Sequence, residues 1–201
     1  MIIIVDYGMG NLRSVSKALE HLGAKVKISS RSKEILQADK IILPGVGAFG
    51  DAMAELRKIE LIDTLRDAFQ NQKKILGICL GMQLLFSSSE ESPEVEGLEF
   101  FKGKAQTFRS QDVKVPHMGW NSVKVSQNHP LLQGVPSGSY FYFVHSYYVV
   151  PKDHGLTAAE CTYGSETFPA MIGTGHVFAT QFHPEKSQEA GLKILKNFIN
   201  W

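Results

Sequence analysis

Two residues with the chemistry of acyl transfer stand far apart in this chain. Cys79 lies in Gly77-Ile78-Cys79-Leu80-Gly81, and His183 opens His183-Pro184-Glu185. The first is G-x-C-x-G, the thiol counterpart of the G-x-S-x-G elbow. There a sharp strand-to-helix turn exposes the nucleophile, and small residues two positions either side leave room for it. Such a turn aims the sulfur at a helix start, where unpaired N–H groups favour thiolate. Taken alone, Cys79 reads equally as a packed core cysteine. In the second motif, extended backbone would put His183 and Glu185 on one side, with Pro184 ending the strand. A base oriented by a carboxylate and facing a thiol is triad logic. Taken alone, His-x-Glu is a surface histidine beside a solvated acid; the two motifs together favour the catalytic reading.

The elements that must position these groups alternate. Residues 2–6 read as a strand and 11–22 as an amphipathic helix with Leu12, Val15, Ala18, Leu19 and Leu22 on one face and Gly23 as its stop. Strands follow at 25–29 and 40–43, helices at 51–57 and 61–71, then the Cys79 strand at 73–78 and helical spacing over 81–86. Residues 87–96 are acidic and polar and read as a loop. From residue 104 onward short alternating strands dominate, at 122–125, 140–144, 147–150, 157–163, 168–172 and 177–182, before a closing helix at 188–201. The fold class is α/β: a mixed, mostly parallel sheet flanked by helices, one domain over 1–201, with chemistry at the carboxyl ends of the strands.

Gly45-Val46-Gly47-Ala48-Phe49-Gly50 matches G-x-G-x-x-G after a strand. A dinucleotide site is rejected. The loop follows a later strand, Asp63 and Asp67 fall in a helical pattern and not at a strand end, and Pro44 stiffens the entrance. The better reading is a loop of bare backbone N–H groups facing the thiol, the donors an oxyanion needs, each worth about 3–4 kcal/mol. A plain turn stays open as the alternative. Asp6-Tyr7-Gly8-Met9-Gly10-Asn11 forms a second loop on the same rim, with Asn11 either a helix cap or a contact for a ligand or partner.

The 201 residues carry a formal charge of +1, so nothing in the charge balance points to nucleic acid or an anionic membrane. The first residues lack a secretory pattern, no apolar run reaches the ~18 residues of a membrane span, and Cys79 and Cys161 are the only cysteines. A cytoplasmic protein without metal or cofactor is the expectation, since no C-x-x-C or H-x-x-x-H spacing occurs.

Gly77-Ile78-Cys79-Leu80-Gly81-Met82-Gln83 with Phe182-His183-Pro184-Glu185 resembles the class I, triad-type glutamine amidotransferases. Further stretches are similar to the glutaminase subunits of imidazole glycerol phosphate synthases. These are residues 6–12 (DYGMGNL), 43–49 (LPGVGAF), 115–121 (VPHMGWN), 142–148 (YFVHSYY) and 183–187 (HPEKS), spread in order over nearly the whole chain. The resemblance implies a flavodoxin-like core with Cys79 as nucleophile, His183 as base and Glu185 as orienting acid. It puts oxyanion donors on the Val46, Gly47 and Leu80 backbone, and glutamine contacts at Gly45, Gly47, Gln83, Ser146 and Tyr147. It also implies a (β/α)₈ barrel cyclase partner, a heterodimer, met near Asn11, Trp120, Tyr142 and Lys186. Glutamine would be hydrolysed through a thioester and ammonia passed on to build imidazole glycerol phosphate and an aminoimidazole carboxamide ribotide for histidine. The 45–49 loop would act as the switch that keeps the unpartnered chain slow. A glutaminase feeding another synthase, a γ-glutamyl hydrolase and a thiol-sensing module are the competing readings. Two places depart from the pattern, residues 96–101 and Ala179, where a glycine is usual; both bear on local shape and neither on the triad.

Overall fold

The computed structural model describes residues Met1–Trp201. Its strands are β1 (Ile2–Val5), β2 (Val26–Ser29), β3 (Lys40–Gly45), β4 (Lys74–Cys79), β5 (Phe86–Ser89), β6 (Phe101–Thr107), β7 (His117–Val125), β8 (Ser139–His145), β9 (Tyr147–Pro151), β10 (Thr157–Tyr163), β11 (Glu166–Thr174) and β12 (Val177–Thr180). The helices are α1 (Leu12–His21), α2 (Ser32–Gln37), α3 (Phe49–Lys58), α4 (Leu61–Gln70), α5 (Leu80–Gln83) and α6 (Gln188–Asn200).

Nine strands form one sheet in the order β2-β1-β3-β4-β12-β11-β10-β7-β8. The first five run parallel, and β11, β10, β7 and β8 continue the sheet antiparallel. The parallel strands are short apolar runs because both of their faces are covered. Ile3, Val5, Ile41, Leu43 and Ile75 pack under α2, α3 and α4; their alternates Ile2, Ile4, Ile42, Leu76 and Ile78 pack under α1 and α6. A small second sheet, β5-β6-β9, packs against α5.

The parallel register puts Gly45, at the end of β3, directly beside Cys79, at the end of β4. The two motifs singled out at these strand ends are therefore neighbours in the sheet.

Three expectations change. The helix expected over 81–86 is only the four residues of α5, and a strand paired with β6 starts at Phe86, the expected helix end, and runs into the stretch expected to be loop. Gly97 approaches so closely that a Cβ there would sit 2.1 Å from the Phe86 carbonyl, and Ser87–Ser89 disfavour a continuing helix. Helix α2 and strand β6 were not expected. The last strand stops at Thr180, and Pro184–Lys186 is a 3₁₀ turn, so His183 and Glu185 meet across a turn and not along extended chain.

Candidate active site

Cys79 has φ +55° and ψ −111°, a backbone conformation that costs a side-chain-bearing residue about 1–3 kcal/mol. The strain is held by packing that only glycine permits. A Cβ on Gly81 would lie 1.8 Å from the Leu43 carbonyl oxygen; one on Gly77 would lie 3.0 Å from the Gly81 carbonyl oxygen and 3.1 Å from Cβ of Ala179. The elbow is thus a close crossing of β3, β4 and α5 that leaves the thiol 6 % exposed at the floor of a cleft.

His183 Nδ1 lies 3.0 Å from Glu185 Oε1, and both side chains are almost fully buried. Burial by itself would lower the imidazole pKa. The neighbouring thiol and the Glu185 carboxylate outweigh it and take the ring up to about 10. His183 Nε2 makes no hydrogen bond within the chain. The turn is anchored to the sheet. His183 N–H donates to the Tyr142 carbonyl at 3.0 Å, Tyr142 N–H donates to Ser187 Oγ at 2.9 Å, and Ser187 Oγ–H donates to the His183 carbonyl at 2.6 Å.

The cleft above the sulfur, about 310 Å³, is lined by Val46, Gly47, Leu80, Gln83, Ser146 and Tyr147, six of the residues singled out from the sequence. Gly47 has φ +97°, and its N–H donates to nothing in the chain. Gly45 does not line the cleft. It packs against Tyr7 and Leu80, where a Cβ would come within 2.5 Å of the Tyr7 hydroxyl, itself hydrogen-bonded to the Pro44 carbonyl at 2.8 Å. Gln83 Nε2 donates to the Tyr147 carbonyl at 2.9 Å and to Gln181 Oε1 at 3.2 Å, which leaves Gln83 Oε1 as the free acceptor of that side chain. Trp120, Tyr142 and Lys186 stand together beside the turn: the two rings are cross-strand partners 6.1 Å apart, and Lys186 Nζ lies 5.9 Å from the Tyr142 ring centre. Asn11 is the cap of α1, its side chain accepting from Ser14 N–H at 3.4 Å.

A family description, Glutamine amidotransferase class-I, matches residues 3–201. The chain belongs to that family. It is 52 % identical to the imidazole glycerol phosphate synthase subunit HisH of Methanosarcina mazei, over 98 % of this chain and 97 % of that one. It is 51 % identical to HisH of Methanocaldococcus jannaschii, over 99 % and 98 %. Among solved structures, PurLQS from Thermotoga maritima aligns with a TM-score of 0.78 at 21 % identity, over 99 % of this chain and 97 % of that one, a likeness of fold.

In this class-I amidotransferase, Glu91, Pro116, Val144 and His145 also line the cleft, and none was singled out from the sequence. Glu91 hides in the acidic stretch after β5, yet its Oε2 accepts from Phe49 N–H at 2.7 Å, at the start of α3. His145 belongs to a directional chain. Its Nδ1 donates to the Tyr147 carbonyl at 2.9 Å, so its Nε2 accepts from His117 Nδ1 at 3.0 Å, and His117 Nε2 accepts from Asn121 Nδ2 at 3.2 Å. Burial pushes His145 down to about 3 and His117 to about 4, so both rings are neutral near pH 7. Gln181 carried a readable signal: it is an amide in the largely apolar run 177–182, and it is fully buried.

Proposed function

We propose that this chain is the glutaminase subunit of an imidazole glycerol phosphate synthase, with Cys79 as nucleophile, His183 as proton carrier and Glu185 as its orienting acid. What carries the reading is the Cys79 thiol, held in strained backbone at the cleft floor beside a buried His183–Glu185 pair. The full-length likeness to HisH chains supports the choice of synthase over a sister pathway.

Glutamine enters with its side-chain amide over the sulfur. Glu91, the one carboxylate lining the cleft, takes the α-ammonium, and Gln83 Oε1 accepts an N–H of the substrate. The thiolate attacks the amide carbon, and the oxygen that becomes negative is met by N–H groups of the Val46–Gly47 loop and Leu80. The imidazolium of His183 gives its proton to the departing nitrogen, which leaves as ammonia, and a γ-glutamyl thioester remains. Neutral His183 then takes a proton from water as it adds to the thioester. Expulsion of the thiolate frees glutamate and restores the starting pair.

Ammonia is consumed by a cyclase subunit of (β/α)₈ barrel form, which performs the ring-forming lyase step. Its docking face is the exposed apolar side of β7 and β8, where Met118, Trp120 and Tyr140 are 63, 45 and 60 % exposed beside the Tyr142–Lys186 pair, with Asn11 at the rim. The Gly45–Phe49 loop is the switch: a peptide flanked by glycine turns over easily, so docking sets whether its N–H groups face the oxyanion.

The test is to mix the chain with the cyclase and follow ammonia, glutamate and ring product with and without the nucleotide substrate. Glutamine turnover should be low for the chain alone and rise when the cyclase is loaded. Undiminished turnover by Cys79→Ala would overturn the nucleophile, and equal turnover with and without cyclase would overturn the switch.

A further inference from the structure

The Cys79 sulfur has two polar neighbours of opposite preference, each at 3.8 Å. One is the Val144 carbonyl oxygen, which accepts from a thiol S–H; the other is Gln181 Nε2, which donates. A carbonyl facing sulfur favours the neutral thiol, and an N–H facing it favours the thiolate. Which end of the Gln181 amide meets the sulfur therefore matters, and the surrounding bonds decide it. The Tyr147 carbonyl can only accept, so the amide nitrogen of Gln83 points to it, and the second N–H of that nitrogen reaches Gln181 Oε1. With its oxygen taken, Gln181 presents nitrogen to Cys79. Both of its polar atoms are partnered, and the residue is 0 % exposed, so water does not compete for the site.

We propose that Gln181 is a further catalytic residue, donating Nε2–H to the Cys79 thiolate and held donor-first by Gln83. The proposal rests on Cys79 being the nucleophile. Burial disfavours a charged sulfur, and the donor offsets that cost while opposing the Val144 carbonyl. The titratable groups around the sulfur are His183 and Glu185 on the turn after β12, Tyr7 after β1, and His145 and Glu91 lining the cleft. Only His183, when protonated, also favours thiolate from a position beside it. Gln181 is thus an uncharged donor to the thiolate at both points where it is free, before it attacks glutamine and as hydrolysis of the thioester expels it, whatever the proton on His183.

The test uses two variants of the intact chain. Gln181→Glu keeps the shape and the acceptor for Gln83 but has no amide N–H; Gln181→Met removes both polar ends. The readout is the pH dependence of Cys79 alkylation by iodoacetamide. Cys161 does not interfere, being buried with its thiol pushed up to about 12. Alkylation below the wild-type midpoint should slow about tenfold in both variants, one unit of upward shift, with kcat for glutamine falling more than KM. In wild type the Gln181 side-chain N–H resonance should move as the thiol titrates and lose that response in Cys79→Ser. Wild-type alkylation profiles in folded variants overturn the proposal, as does a silent N–H resonance should either variant fail to fold. If Cys79→Ala still hydrolyses glutamine, the nucleophile itself is misassigned; if it is inactive while both Gln181 variants keep the wild-type profile, only the role of Gln181 falls.

Discussion

The backbone of Cys79 makes an unusual prediction about stability. At φ +55° and ψ −111° alanine is strained and glycine is not, so Cys79→Gly should be more stable than Cys79→Ala by about 1 kcal/mol, after allowing for the greater freedom of unfolded glycine. Urea midpoints of the two variants measure the difference, and an alanine variant equal to or above glycine would contradict the strain. Gly81→Ala tests the packing that imposes it. A Cβ 1.8 Å from a backbone carbonyl cannot be relieved by a side-chain rotation, so the loss should be about 3 kcal/mol or more, near 10 °C in melting temperature. At the same scale, His183 carries a proton to the departing ammonia in the proposed mechanism. Its pKa is raised, so glutamine turnover in the complex should hold through neutral pH and fall as pH rises through about 10. Glu185→Gln should lower kcat by about 10²–10⁴ and bring that alkaline limb down, because the ring loses a partner that favours its charge.

Elements explain what the sequence disclosed and what it withheld. The parallel strands were legible because burial on both faces demands short apolar runs, and β10 was read at its full extent, 157–163. The elbow was legible from Gly77, Cys79 and Gly81 because a close crossing needs glycine wherever it occurs. Strand β5 was not: Phe86–Ser89 is polar and serine-rich, and its strand character comes from pairing with Phe101 rather than from its own pattern. Glu91 was lost for a similar reason, one acid among several whose neighbour in space, Phe49 N–H, is distant in sequence. His117 and His145 sit at alternating inward positions of β7 and β8, where any buried residue fits the pattern. Their neutrality has a consequence in acid. The folded pKa values lie below the ordinary imidazole value, so the pair contributes stability above about pH 6.5 that is lost as pH falls toward 3. His183, raised in the fold, acts in the opposite sense, with its contribution present below pH 6.5 and lost through about 10. Urea midpoints from pH 7 to 4 should therefore fall less steeply in His145→Gln than in wild type; parallel slopes would remove the pair from the account.

At the scale of the molecule, Cys79, the proposed nucleophile, is fixed by the parallel half of the sheet, while β8 at its antiparallel edge anchors the turn that carries His183, the proposed base. No helix is long and apolar enough to cross a membrane, and the largest exposed side chains of β7 and β8 share one face. Trp120→Ala should weaken binding of the cyclase by about 2 kcal/mol, some thirtyfold in Kd, with the melting temperature of the free chain little changed. Calorimetric titration measures it, and an unaltered Kd would place the interface elsewhere. Tyr142 gives that edge a mechanical meaning. Both of its peptide groups are tied to the His183–Ser187 segment, so whatever grips the outermost strand also holds the imidazole by its own main chain. A visitor that tugs this border sideways by a fraction of an ångström steers the ring relative to a sulfur rooted in the other half of the sheet, without disturbing any of the oily interior between.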